Sequence, residues 1–418
     1  VKLIAFVDQG VVSAGNFIAG MLMARAFGAR EFGSFTLAWL IVEFMASLQF
    51  ASVIQPMLNI GAKEDEKDRD RYFTAIAVQQ ACLAIAAALL VGLVVSGLGL
   101  AFDAELGQLA LPLFIATASF QGYNFFRRYF FVRDRAAVAL SSDLLRIGLQ
   151  IGGLFALPLL GPLFGGPVSA ASGVWIVAAA CASSTLVGVT LFGRFHWDPA
   201  AFARLVVRHW AFSKWLLPSA VMFWMTSQAF VLMSGIVLGA AATGTLKAAI
   251  SIAGIITLLM QALDNFAPMQ ASQAFQSGGR DALLRYLVRL SLLMAALLTA
   301  LVLLLSSDTD AIVRMIYGRE FEGLGYMVHW LCATSVAYGL SVLLAIWAAA
   351  IERTQLIFVS YVAATLFTVV AAYPLTHLFG MQGVLWGALI VEIIKTLALL
   401  VPLLRWQRAM RGEPVPAA

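Results

Sequence analysis

The sequence predicts an all-α polytopic membrane protein, with about twelve transmembrane helices in two parallel-repeat lobes of six. Three observations predict it. The composition is too apolar for a soluble chain of 418 residues: 61% are hydrophobic and 12% charged, against about a quarter charged in a soluble domain, and mean hydropathy is +0.90. Apolar runs of span length recur from one end to the other. Basic residues gather in alternate connections between them.

A run of about 20 apolar residues crosses a hydrocarbon core about 30 Å thick. Every backbone amide in that core needs an internal partner, so spans are helices or strands of a closed barrel. Barrel strands read as short alternating segments, whereas Leu83 to Val95 and Ile250 to Met260 are continuous. The predicted spans are 4–26, 34–60, 73–100, 107–131, 136–160 and 168–193, then 215–238, 243–267, 284–306, 326–350, 356–378 and 382–404. The first carries Asp8, Gln9, Asn16 and Arg25, with no cleavage site after it, and is read as a retained helix and not a signal peptide.

Lys and Arg mark cytoplasmic connections. About 20 basic residues fall on one side, including Lys63 to Arg71, the turn with Arg127, Arg128, Arg133 and Arg135, the middle connector, and the C-terminal tail; about three, Arg30, Arg314 and Arg319, fall on the other. Both termini are therefore expected in the cytoplasm. The net charge of +5 reads as this asymmetry and not as a nucleic-acid surface. The middle connector, Arg194 to Lys214, mixes Phe202, Leu205, Val206 and Trp210 with basic residues, the pattern of an amphipathic helix on the inner leaflet.

That connector separates two halves, taken as 1–200 and 201–418. Gly28 and Gly33 after the first span match Gly239 and Gly244 after the seventh, about 211 residues on; Pro56 matches Pro268; and Arg133-Asp134-Arg135 resembles Glu352-Arg353 at a slightly longer offset. Glycine suits such turns because it tolerates positive φ. Six spans per half give both halves one orientation, a parallel repeat about an axis along the membrane normal.

Nothing in the sequence points to catalysis. Cys82, Cys181 and Cys332 sit in apolar runs, and the four histidines lack ligand spacing, so no metal, disulfide framework or cofactor is expected. There is no P-loop, nucleophile elbow or zincin motif. Two-lobed architectures of this kind bind substrate between lobes and expose it alternately to each side.

Ionisable residues inside spans carry the most information. Arg25, towards the outer end of the first span, and Lys247, one turn into the eighth, either snorkel to headgroups or bind an anionic group from the two lobes. Asp143 and Arg146, and likewise Glu392 and Lys395, are three apart and read as internal ion pairs; Arg146 is also a candidate anion ligand. Glu43, with no charge one turn away, and the polar inner segments holding Asp264 and Asp8 are candidates for ion coupling, against hydrogen bonding or interfacial solvation. Arg127, Arg128, Arg133 and Arg135 form the densest basic cluster, a topology anchor or a site for anionic headgroups of the inner leaflet.

The run Asp8-Gln9-Gly10 through Ala24-Arg25-Ala26-Phe27-Gly28-Ala29-Arg30-Glu31-Phe32-Gly33-Ser34-Phe35 resembles the first hairpin of polysaccharide-unit flippases. These are the Wzx-like O-antigen and exopolysaccharide exporters, in the superfamily that also holds multidrug/toxin extrusion antiporters and the lipid II flippase. The resemblance implies two six-helix lobes around a cationic cavity. It implies transfer of an undecaprenyl-diphosphate-linked oligosaccharide across the bacterial inner membrane without chemical change, with membrane lipids, a glycan polymerase and chain-length machinery as partners and no nucleic acid. It places Arg25 and Lys247 at the diphosphate. The chain lacks the extra spans and cavity arginines of the lipid II branch. The alternatives are a cation-coupled multidrug antiporter of the same superfamily and, from another class, a membrane-embedded glycan polymerase or ligase, which would need a larger outer loop than 307–325.

Overall fold

A computed structural model describes residues 2–61, 66–101, 107–160, 169–264, 267–306 and 308–409. The chain divides into two compact units, Val1–Val221 and Met222–Ala418.

The first unit is built from α1 (Lys2–Gln49), a π turn at Phe50–Ile54, α2 (Gln55–Ile60), α3 (Glu66–Ala101), α4 (Ala110–Val132), α5 (Ala136–Leu160), α6 (Ala170–Thr190) and α7 (Pro199–Ser213). The second holds α8 (Leu216–Met233), a π turn at Ser234–Leu238, α9 (Ala240–Asp264), α10 (Ala267–Ser306), α11 (Thr309–Tyr317), α12 (Gly325–Ala350) and α13 (Thr354–Ala409), the first turns of α8 belonging to the preceding unit.

Eight of the described helices are long and apolar enough to cross a membrane. Two of them, Val7–Ile60 and Thr354–Arg408, run to 54 and 55 residues. At 1.5 Å per residue each would be about 80 Å long, well over twice the hydrocarbon core. Each is broken near its middle by one residue, Gly28 (φ 74°, ψ 173°) and Gly380 (φ 59°, ψ −137°), so each holds two spans. With α4, which has the length but a lower mean hydropathy, and α9, whose described apolar stretch is the shorter Ala240–Ile256, the twelve expected spans are accounted for. Gly278 and Gly279 likewise break α10, leaving a short segment before its span. Large apolar side chains stand fully outward, Leu100 at 92%, Leu159 at 82% and Val370 at 74% exposure, as a lipid solvent allows and water does not.

The repeat seen in the sequence is present in the backbone. Gly239 has φ 92° and ψ 168°, close to Gly28. The α4–α5 and α12–α13 turns are superimposable in hydrogen bonding. Arg135 N donates to Phe130 O (2.8 Å) and Asp134 N to Phe131 O (3.2 Å); Arg353 N donates to Ala348 O (2.8 Å) and Glu352 N to Ala349 O (3.0 Å). Asp134 (φ 56°) and Glu352 (φ 59°) occupy the left-handed position. Both are Schellman closures with an acidic residue where glycine is usual.

Packing in the first unit relies on small residues at helix crossings. A Cβ at Gly188 of α6 would run into the Phe126 ring of α4, and one at Gly122 of α4 into Thr185 of α6. The aromatic core of this unit joins Phe73 of α3 to Phe125, Tyr129 and Phe130 of α4 and takes in Leu205 of α7. α7 is amphipathic as expected. Asp198 caps it through Ala200 N and Ala201 N, Leu205, His209 and Ser213 are buried every fourth residue, and Val207 and Trp210 are exposed. His209 Nε2 lies 3.2 Å from the Tyr72 hydroxyl of α3. These contacts attach α7 to the first unit, so the division at 221/222 falls about twenty residues beyond the 200/201 boundary read from the connector.

Candidate functional site

The first unit buries a charged network that joins three helices. Tyr123 and Arg127, one turn apart on α4, face Asp8 of α1 and Asp143 of α5. Arg127 Nη2 donates to Asp8 Oδ2 at 2.5 Å and Nε to Asp143 Oδ2 at 2.6 Å. The Tyr123 hydroxyl donates to Asp143 Oδ1 at 2.6 Å. Asp8 and Asp143 are wholly buried and Arg127 nearly so. Burying ions is costly unless each is paired and hydrogen-bonded, and here one guanidinium serves two carboxylates. Asp8 Oδ1 has no partner among the described residues.

Arg146 lies one turn from Asp143 but does not pair with it. Its Nη1 donates to Gln150 Oε1 and its Nη2 to Asn16 Oδ1, both at 2.9 Å, and Cζ stands 5.0 Å from the centre of the Tyr123 ring. Its Nε is buried without a partner. Arg146 is 4% exposed, so this is a buried guanidinium held by neutral groups. The spacing that suggested an Asp143–Arg146 pair is overridden because Arg127 and Tyr123 already occupy both oxygens of Asp143.

In the second unit the expected Glu392–Lys395 pair forms on α13, with Nζ 2.6 Å from Oε1. Ser341 of α12 donates to Glu392 Oε2 at 3.3 Å. Nζ also sits 5.5 Å and 5.3 Å from the ring centres of Tyr338 and Tyr361, within cation–π range. Tyr338, Ser341, Tyr361 and Lys395 line a cavity of about 230 Å³, whose wall also includes Ser360, Ile357 and Leu399.

Other residues singled out in the sequence lie elsewhere. Arg25 is exposed and Lys247 half-buried. Glu43 is half-buried. Asp264 closes α9, and its side chain lies outside the described residues. Within the basic cluster, Arg127 is not at a surface but in the network above. Arg133 pairs with Asp70 at 3.3 Å and covers the Phe73 ring, Arg135 Nη1 donates to Leu191 O at 2.8 Å, and Arg128 covers the Phe50 ring. All three are half-buried. Sequence reading missed Tyr123, Asn16 and Gln150 around the first network and Tyr338, Tyr361 and Ser341 around the second. The one visible signal was Tyr123 and Arg127 four apart in an otherwise aromatic stretch.

No family model matches the chain, and no curated protein matches it. Solved structures do. An inward-facing multidrug resistance MATE family transporter of the MOP superfamily matches with a TM-score of 0.69 at 14% identity, over 96% of this chain and 94% of that one. The lipid II flippase MurJ, in an inward closed conformation, gives 0.66 at 13% identity over 96% and 87%. A MOP superfamily transporter from Pyrococcus furiosus, described as having a binding pocket of reverse polarity, gives 0.58 at 13% identity over 98% and 93%. At these identities the likeness is one of fold, and it extends over nearly the whole of both chains. The protein is a multi-pass, all-helical membrane protein with the fold of MATE transporters in the MOP superfamily, twelve spans in two lobes.

Proposed function

We propose that this chain is a transporter that moves an undecaprenyl-diphosphate-linked oligosaccharide from the inner to the outer leaflet of a bacterial cytoplasmic membrane, with both termini in the cytoplasm and no chemical change in the cargo. The observation that carries this reading is Arg146. A buried guanidinium held by Asn16, Gln150 and an aromatic face, with its Nε unpaired, keeps a donor for an anion. Planar bidentate recognition of phosphate is what arginine does best. Arg25 and Lys247 are the further diphosphate ligands of this proposal, Arg128, Arg133 and Arg135 the contacts to inner-leaflet lipid, and Glu43 and Asp264 the remaining coupling candidates. The fold shared with MurJ supports a lipid-linked cargo. A polymerase and chain-length machinery would act on the product outside.

A second reading, cation-coupled multidrug export, is favoured by one observation: the carboxylates Asp8 and Asp143 share a single guanidinium, so a proton or metal cation entering there would redistribute the pairing. The two readings separate in one experiment. In a deletion strain, the leaflet distribution of lipid-linked glycan is measured with wild type, Arg146→Gln and Arg25→Ala/Lys247→Ala restored. Accumulation on the inner leaflet, relieved by wild type and not by the variants, is expected. An unchanged distribution on deletion sinks the flippase reading, and drug efflux abolished by Asp8→Asn but indifferent to Arg146→Gln establishes the other.

A further inference from the structure

The second unit holds a cavity with a mainly apolar wall and a few polar groups, Ser341, Ser360, Lys395 and two tyrosines. Its chemistry is specific. Lys395 is 6% exposed, yet Glu392 takes only one of its three N–H donors. Nζ stands on the cavity wall beside the Tyr338 and Tyr361 rings, and an acceptor that enters there can take its remaining donors.

What brings those acceptors is limited by charge. Glu392 lies 2.6 Å from Nζ, so the pair is neutral as a unit. An anion at Nζ would stand beside the carboxylate, and a free cation at the carboxylate would stand beside the ammonium. Either meets repulsion that the low-dielectric surroundings magnify. A neutral polyol meets none. Its hydroxyl oxygens accept from Lys395, and its hydroxyl protons donate to Ser341. Tyr338 and Tyr361 supply aromatic surface for the C–H face of a ring, and Ser360 a further hydroxyl on the wall. At about 30 Å³ per water, the cavity of about 230 Å³ holds about seven waters, room for one pyranose ring.

We infer that the cavity lined by Tyr338, Ser341, Ser360, Tyr361 and Lys395 is a subsite for a single sugar ring of the cargo. The inference rests on the flippase reading for the identity of the cargo, and on the cavity alone for its chemistry. Sugar chemistry then belongs to the second unit, and substrate selection by glycan type resides in the C-terminal half.

The test uses the full chain in lipid nanodiscs and a panel of methyl pyranosides as the probe: gluco, galacto, manno, rhamno, N-acetylglucosamine and N-acetylgalactosamine forms. Saturation-transfer NMR reports binding, and translocation of lipid-linked glycan in proteoliposomes is read on the same preparations. Binding of at least one glycoside is expected, weakened about tenfold, or about one decade in Kd, by Tyr361→Leu and kept by Tyr361→Phe. The double variant Glu392→Gln/Lys395→Met, which preserves neutrality, should lose the signal as well and guards against misfolding of the leucine variant. No response from any glycoside, or a response indifferent to all of these variants, overturns the subsite even if translocation persists. A response to inorganic phosphate alone overturns it in favour of an anion site. Glycoside binding that follows the variants, without translocation by wild type, keeps the subsite and removes the flippase function.

Discussion

The two units dispose of buried charge in opposite ways. In the first, Asp8, Arg127 and Asp143 come from three helices and are separated by up to 135 positions, from Asp8 to Asp143. In the second, Glu392 and Lys395 are one helical turn apart. The long-range network pins α1, α4 and α5 together, and every member is needed for the others to be satisfied. The local pair is self-contained, asks nothing of the neighbouring helices beyond one serine and two aromatic rings, and leaves a cavity open beside it. The first plan ties three helices through shared charges, whereas the second leaves a cavity beside its lysine.

That contrast has its largest expected consequence at Arg127. Arg127→Met leaves two wholly buried carboxylates without a cation, and loss of one partner from a buried ion pair costs about 3–5 kcal/mol. Thermal unfolding of the purified protein should show a large fall in midpoint or a failure to accumulate. Adding Asp143→Asn to Arg127→Met should recover only part of the loss, because Asp8 stays unpaired. Full recovery by that double variant would mean that the contact between Arg127 and Asp8 contributes nothing, and the three-helix network would reduce to an ordinary pair.

How far each plan could be read in the sequence follows the same division. The Glu392–Lys395 pair was legible because i,i+3 spacing places both groups on one face whatever the tertiary structure does. The turns at Gly28 and Gly239 were legible because their conformation is a local property of glycine. The span count was legible because bilayer thickness sets it. Arg127 was not. It lies between a basic turn and an aromatic run, and composition there suggests a surface anchor; its burial depends on which helices pack against α4. The same spacing rule that found the pair in α13 misled at Asp143 and Arg146, where Asp143 takes its donors from α4 and Arg146 its acceptors from Asn16 of α1 and Gln150 of its own helix. Intramembrane charges with partners on other helices escape periodicity, since their spacing in sequence has no fixed value.

A second asymmetry lies outside the membrane. Among the two units' extramembrane histidines, His209 is packed against Tyr72 and 1% exposed. Burial lowers its pKa from 6.5 to about 4, helped by the neighbouring Arg208. Its native form is neutral, so the unfolded chain binds a proton that the folded one refuses as pH falls below about 6.5. Stability is therefore full above that pH and declines towards pH 4, by about 2–3 kcal/mol in all at about 1.4 kcal/mol per pH unit. Unfolding midpoints measured between pH 7 and 4 should fall less steeply in His209→Gln than in wild type. Parallel slopes would remove α7 from the contacts that hold the first unit together.

The smallest effect is expected in the second unit and completes the contrast. Lys395→Met alone leaves Glu392 with the Ser341 hydroxyl and a cavity that admits water or a proton, so its cost should fall below that of Arg127→Met, at about 1–3 kcal/mol on the scale of unsatisfied buried groups. Glu392→Gln/Lys395→Met removes both charges while keeping shape and one hydrogen-bonding group. Neutral replacement of a buried pair is often nearly without effect, and the double variant should unfold within about 1 kcal/mol of wild type. A coupling between the two substitutions as large as the single losses is the mark of a self-contained pair. If the double variant is instead as damaged as Arg127→Met, the Glu392–Lys395 pair is tied into helix packing as deeply as the first unit's network, and the open cavity beside it is a by-product of that packing with no freedom to receive a ligand.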